Sequence, residues 1–230
     1  TPDYIRRQRQ MCIRDSWYTG AGGFIDEQLF PRRIGFETLE CNHWYDGPDR
    51  ASRGAIKLSF IDWRDPLAPG MAAGNVGADL DRIDCEDFGH WVGVAAEIEH
   101  LPNPASRVTL SESEVDRFGD PVPQIHFAVS DVDRRTQAEA MNISQELLQA
   151  RGCTDIRPIA EFNRAHHHMG TCRMSSDPGS GVVDADCRLH GSDNLFIAGA
   201  SVFPTGAGRQ PTLTIAALAL RLGAHLAVLT

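Results

Sequence analysis

Between Pro211 and Leu229 the chain carries Leu213, Ile215, Ala216, Leu218, Ala219, Leu220 and Leu222, so a helix built here is apolar nearly all round. A helix with so little solvent face is expected to be buried inside a layered α/β core. Pro211 suits its first turn, where a missing N–H costs nothing. Just ahead, Leu195 to Ala198 is a short apolar run ending in Gly199-Ala200-Ser201. Small residues at a strand end let the backbone approach a ligand closely. Strand, turn and helix in that order fit the end of a Rossmann-like domain.

The earlier chain has a different texture. Thr1 to Ser16 is basic without an apolar core behind its charges, and Met11-Cys12-Ile13-Arg14-Asp15-Ser16 resembles the translation of a sequencing-library adapter. Residues 1–16 are therefore set aside as a non-native leader, with natural sequence expected from about Trp17. From Trp17 to Pro69 the composition reads as irregular, with Gly20-Ala21-Gly22-Gly23 a flexible turn and Ala55 to Ile61 a strand. Gly20 and Gly22 lack the third glycine, preceding strand and following helix of a dinucleotide fingerprint. From Trp91, Val92, Val94, Ala96 and Ile98 alternate with Gly93, Ala95, Glu97 and Glu99, the pattern of a half-buried strand. Arg107 to Ser111 and Gln124 to Ser130 are expected to continue it as a meander. Ser130 then caps a helix with Val132, Ala140, Ile143 and Leu147 on one face, stopped by Gly152. Two regions follow, a β-rich one over 17–160 and a terminal one over 161–230.

Composition narrows the functional classes. A net charge of -9 over 230 residues argues against a nucleic-acid footprint, which needs a basic patch. The apolar run 213–229 carries Arg221 and His225 and follows a helix-start signal, so it reads as a core helix rather than a membrane span. The 6 cysteines form no C-x-x-C pair and no zinc spacing, so no metal site is expected. That usage favours a reducing compartment, with the choice between cytoplasm and periplasm open.

Chemistry concentrates in Ala165-His166-His167-His168-Met169-Gly170-Thr171-Cys172-Arg173-Met174, followed by Gly181-Val182-Val183-Asp184. A second block, Asn194 to Thr205, leads to Gln210-Pro211-Thr212-Leu213-Thr214-Ile215, and Asn103-Pro104-Ala105-Ser106-Arg107-Val108 lies upstream. Together these resemble the C-terminal stretch of the glucose-methanol-choline (GMC) oxidoreductases, and look most like their bacterial sugar and polyol dehydrogenase branch. The resemblance implies an α/β fold: an α+β substrate domain plus the C-terminal part of a Rossmann-like FAD domain. It also implies an FAD-dependent enzyme that oxidises the CH–OH group of a sugar, polyol or related alcohol by proton abstraction and hydride transfer to flavin N5. Oxygen, a quinone or a cytochrome subunit would then take the electrons. The family's Gly-rich FAD fingerprint is absent here, so this chain alone is expected to be inactive.

Aligned residue by residue, the family's His-x-x-Gly-Thr motif falls on His167, Gly170 and Thr171. A neutral imidazole suits proton removal from an alcohol because its ordinary pKa lies near neutrality. The family's Asn or His before a proline is replaced by Gln210, which keeps an amide but is one methylene longer. Gly199, Ala200, Pro211 and Thr212 are the implied cofactor contacts, the helix start at Pro211 favouring nearby negative charge. Asp184, Asp186 and Arg188 read as a solvated turn, His126 and His190 as satisfied single histidines. Trp44, Tyr45 and Trp63 could stack on a sugar but read more simply as core. Two other readings stay open: a non-catalytic carbohydrate-binding or interaction module, and a lyase on the same fold.

Overall fold

A computed structural model describes residues 16–27, 37–61, 90–158, 163–164 and 167–229. It is a mixed α/β structure in two compact units, Trp17–Ile98 with Arg135–Asn163, and Glu99–Arg134 with Arg164–Thr230. Residues 1–15, most of the adapter-like leader, and Trp63 lie outside the described residues.

The first unit is built on a sheet of strands β1 (Ser16–Phe24), β2 (Glu37–Cys41), β3 (Ile56–Ile61), β4 (Trp91–Glu99) and β7 (Thr154–Pro158), in the order β2-β3-β4-β1-β7. The strand expected over Ala55 to Ile61 is β3. In the antiparallel β3/β4 pair, Ile56↔Ile98, Leu58↔Ala96 and Phe60↔Val94 alternate with Lys57↔Glu97 and Ser59↔Ala95. The apolar set lies on one face and the polar set on the other.

Contrary to the half-buried reading, β4 is buried on both faces from Gly93 to Glu99. Its polar face survives burial because charges meet there. Lys57 is 0% exposed, with Nζ 3.0 Å from Glu40 Oε1 and 3.1 Å from Glu97 Oε1. The Tyr18 hydroxyl donates to the same Glu97 oxygen at 2.7 Å.

The stretch Gly20 to Gly23, expected to be a turn, lies instead within β1. Its glycines serve close approach rather than flexibility. A Cβ on Gly20 would fall 2.1 Å from the Val94 carbonyl oxygen, and one on Gly22 would fall 2.3 Å from the Trp91 ring. A glycine-rich strand is thus the condition for strands β1 and β4 to lie together.

The helix expected after Ser130 is α1 (Asp131–Arg151). Its buried positions Thr136, Ala140, Ile143, Ser144 and Leu148 follow helical spacing, with Leu148 where Leu147 was expected. Two contacts tie it to the start of β3 within this unit: Gly54 N–H donates to Thr136 Oγ1 at 2.8 Å, and Arg53 Nε lies 3.2 Å from Glu139.

In the second unit, β5 (Arg107–Val115) and β6 (Pro121–His126) form their own two-stranded sheet. The expected meander is therefore broken after β4. Within the second unit, Ser106 is pinned by reciprocal bonds with Ala128 at 3.0 Å. Ser130 caps α1 as expected: its Oγ accepts from Asp133 N–H at 3.2 Å, while its own N–H donates to Asp133 Oδ2 at 2.8 Å. Asp133 also accepts from Leu101 N–H at 3.2 Å and lies 3.1 Å from His100 Nδ1.

The chain ends in α2 (Thr212–Ala227). Its inner side, Ile215, Leu218, Leu222 and Leu226, joins a core of Met169, Val183, Cys187, Val202 and Phe203. The expectation of burial all round fails on the other side, where Leu213 is 84% and Leu220 76% exposed. Neither is a strand formed over Leu195 to Ala198, which makes a single bridge, Arg188↔Phe196.

Two stability outcomes follow. Gly20→Ala forces a Cβ onto a backbone oxygen at φ +142, so it should cost about 2–5 kcal/mol in urea denaturation of the intact protein. An alanine variant as stable as wild type would mean that β1 does not sit against β4 here. Burial raises the pKa of Asp133, but hydrogen bonds from His100 and Ser130 outweigh it and hold the carboxyl below its ordinary value. A lowered carboxylate stabilises the fold above the unfolded pKa of about 3.9, and the contribution is lost as pH falls through the folded value. Asp133→Ala should thus be about 1–3 kcal/mol less stable at neutral pH. The gap to wild type should narrow only below about pH 4.

Candidate active site

The candidate site is assembled in the second unit by two stretches that run side by side. Gly170 N–H donates to Ala200 O at 3.2 Å, Cys172 N–H to Ser201 O at 2.7 Å, and Met174 N–H to Val202 O at 2.8 Å. The donors step by two residues while the acceptors are consecutive carbonyls of the turn Ala200–Val202, so the motif stretch is bonded onto a 3-10 turn rather than paired with a strand. This brings the expected base, His167, within three residues of backbone that is bonded to the expected cofactor contact Ala200.

The segment after the motif folds back to support it. Val182 N–H donates to Arg173 O at 2.8 Å, Ser175 N–H to Val183 O at 2.9 Å, and Ile197 N–H to Cys187 O at 2.9 Å. Val183 and Cys187 are thereby placed in the core under the ladder. Arg221 adds a bond from α2 to Ala185 O.

Within the motif, His167 is half-buried, His168 exposed and Met169 buried, while His166 lies outside the described residues. Burial pushes the Cys172 thiol above its usual pKa despite hydrogen bonds with Thr171 and Ser201. A protonated thiol is a poor nucleophile. Among the described residues no group of three His, Cys, Asp or Glu is placed to hold a metal ion.

The expected cofactor contacts lie on two features. Gly199 has φ +107, and no heavy atom lies within 4 Å of where its Cβ would be, so its backbone faces open space. Ala200 begins a short 3-10 turn, Ala200–Val202. Pro211 is the N-cap of α2 rather than its first helical residue, and no side chain caps the helix there. The helix therefore offers N–H groups beside Thr212 to a negative group. Gln210, immediately before, is exposed.

The residues read as structural are placed accordingly. Asp184 accepts from Asp186 N–H at 2.9 Å and Arg188 N–H at 3.0 Å and pairs with Arg188 Nε at 3.2 Å, a self-contained turn. His126 Nε2 lies 2.8 Å from Thr109 Oγ1, and His190 Nε2 3.0 Å from Ser175 O. Trp44 and Tyr45 are half-buried, the Trp44 carbonyl accepting from Arg53 at 2.7 Å. Sequence reading missed Met169 and Ser201. The signal for Met169 was an apolar residue set in a polar run.

A family model described as GMC oxidoreductase matches residues 102–219, half of the chain. The chain belongs to the GMC oxidoreductase family. It is 31% identical over 179 residues to the fructose dehydrogenase large subunit of Gluconobacter japonicus, a match covering 76% of this chain and 33% of that protein. It is 38% identical over 126 residues to a C-glycoside 3-oxidase of Microbacterium trichothecenolyticum, covering 54% of this chain and 24% of the relative. A structure concerning FAD modification in formate oxidase of Aspergillus oryzae RIB40 superposes with a TM-score of 0.60 at 16% identity, covering 94% of this chain and 47% of that one. This GMC chain thus spans a third or less of the length of these two curated relatives.

Proposed function

We propose that this GMC chain is the C-terminal portion of an FAD-dependent oxidoreductase that oxidises a CH–OH group of a sugar or polyol. The observation that carries the reading is the set of bonds from 170–174 to 200–202, which ties the stretch bearing His167 to the turn at Ala200, next to the open backbone of Gly199. The sugar class is supported by the fructose and C-glycoside relatives. FAD is supported by the formate oxidase likeness, and the residues present fit such a group.

Gly199 and Ala200 would hold it by close backbone approach, with the uncapped helix start at Pro211 and Thr212 beside it. When bound, FAD supplies the acceptor for the hydride that leaves the alcohol carbon. His167 takes the hydroxyl proton on an unprotonated ring nitrogen as the C–O bond becomes a carbonyl. Gln210 offers its amide to the same substrate oxygen. Electrons and protons then balance: the CH–OH group gives up one proton and one hydride and becomes C=O.

The test uses the intact protein with its flavin and fructose as first probe. His167→Ala should slow flavin reduction by about 10²- to 10⁴-fold, the range typical of losing a positioned base. Replacement of His168 should cost much less. Equal losses at both would refute the register, and turnover without flavin reduction would favour a lyase. Gln210→Asn should keep much of the rate because the amide survives. Gln210→Leu should lose about one to two powers of ten, the effect of leaving an oxygen short of one hydrogen bond in a dry site. A leucine variant as fast as wild type would reduce Gln210 to a helix-entry residue.

A further inference from the structure

Met169 occupies the middle of the catalytic motif and takes no part in the chemistry proposed above. It is 3% exposed and packs in the core with Val183, Val202, Phe203 and Leu222. Its thioether is seated on Gly206: a Cβ built there would fall 2.0 Å from Met169 Sδ, 3.0 Å from Cε and 3.4 Å from Cγ. Two residues before Met169 lies His167, and four residues after Gly206 lies Gln210. The backbone ladder ends at Val202, so the loop from Phe203 to Pro211 lies beyond it. The Met169 side chain meets that loop at Gly206.

We infer that Met169, seated against Gly206, is a positioning residue that sets the separation between His167 and Gln210. The inference rests on the reading of His167 and Gln210 as the pair facing the substrate oxygen. Its physical basis is steric. Carbon and sulfur in ordinary contact lie about 3.5–4.0 Å apart, so a methyl group on Gly206 must drive thioether and loop apart by more than an ångström. A methionine on the surface would swing away, but this one is enclosed by core side chains in a close-packed interior. The displacement therefore passes along the backbone, toward His167 from Met169 and toward Gln210 from Gly206. Misplacement by about 1 Å can cost 10²-fold when two groups must converge on one reacting atom.

The test is transient-state flavin reduction in the intact, flavin-loaded enzyme, with flavin content and thermal midpoint measured alongside. Gly206→Ala should lower the limiting reduction rate about 10- to 100-fold, while the substrate dissociation constant moves less than about threefold and flavin content is kept. Met169→Ala in the Gly206→Ala background should recover most of that loss, because removing the thioether makes room for the methyl. A purely structural role would lower the thermal midpoint and add the two losses instead. Should Gly206→Ala fail to fold, Met169→Ala alone should slow reduction about tenfold and the volume-conserving Met169→Leu should restore it. Gly206→Ala at the wild-type rate, or additive losses in the double variant, overturns the inference. The His167→Ala control separates the two levels. If it too reduces flavin at the wild-type rate, the reading of the base fails and takes the inference with it; if it is slow while the Met169 and Gly206 variants are not, only the positioning role falls.

Discussion

Everything proposed for the site depends on three backbone hydrogen bonds, from Gly170, Cys172 and Met174 to Ala200, Ser201 and Val202. Each is worth only about 1 kcal/mol net. Their value is geometric, because they convert two stretches thirty residues apart into one local piece of structure. The intervening chain makes this arrangement durable by burying Val183 and Cys187 beneath it. The Asp184 carboxylate accepts from the backbone N–H groups of Asp186 and Arg188, so the turn closes on its own polar groups.

The other unit rests on a different constraint. A strand buried on both faces, as β4 is from Gly93 to Glu99, usually requires apolar side chains on both. Here Lys57, Glu97, Glu40 and Tyr18 fill one face, joined within hydrogen-bonding distance. Such a cluster need not add stability relative to a well-packed apolar face, but removing one member leaves a buried charge unmatched. It fixes which residues of β1, β2, β3 and β4 stand opposite one another. A slip of one residue would set Lys57 among the isoleucines and leucines of the opposite face.

Much of this was legible in the sequence, for identifiable reasons. The helix from Asp131 to Arg151 carries its own start signal in Ser130 and its own stop in Gly152, and strand β3 alternates Ile56, Leu58 and Phe60 with Lys57 and Ser59. Both are local properties, readable in a short window. Strand β1 was not readable, because its glycines are selected by the Val94 carbonyl and the Trp91 ring, which lie some seventy residues away. Glycine in a turn and glycine under a neighbouring strand look alike in one dimension. The two faces of β4 failed for the same reason: the partners of Glu97 are supplied by other strands. Helix α2 was read as buried because it is apolar all round, yet Leu213 and Leu220 are exposed in a chain that spans a third of its fructose dehydrogenase relative. Apolar periodicity states what a face requires and is silent on which chain supplies it.

The three consecutive histidines pose a register problem that composition alone cannot resolve, and burial orders two of them. In an extended segment residues two apart share a side and residues one apart oppose each other. Met169 is buried; His167, two residues earlier, is half-buried, and His168 between them is exposed. Burial of Met169 thus goes with a more enclosed ring at His167 than at His168. A hydrophilic residue at position 169 would remove that bias, since nothing else in His166-His167-His168 distinguishes one ring from the next. The burial register of the run is carried by the one residue that has no polar chemistry.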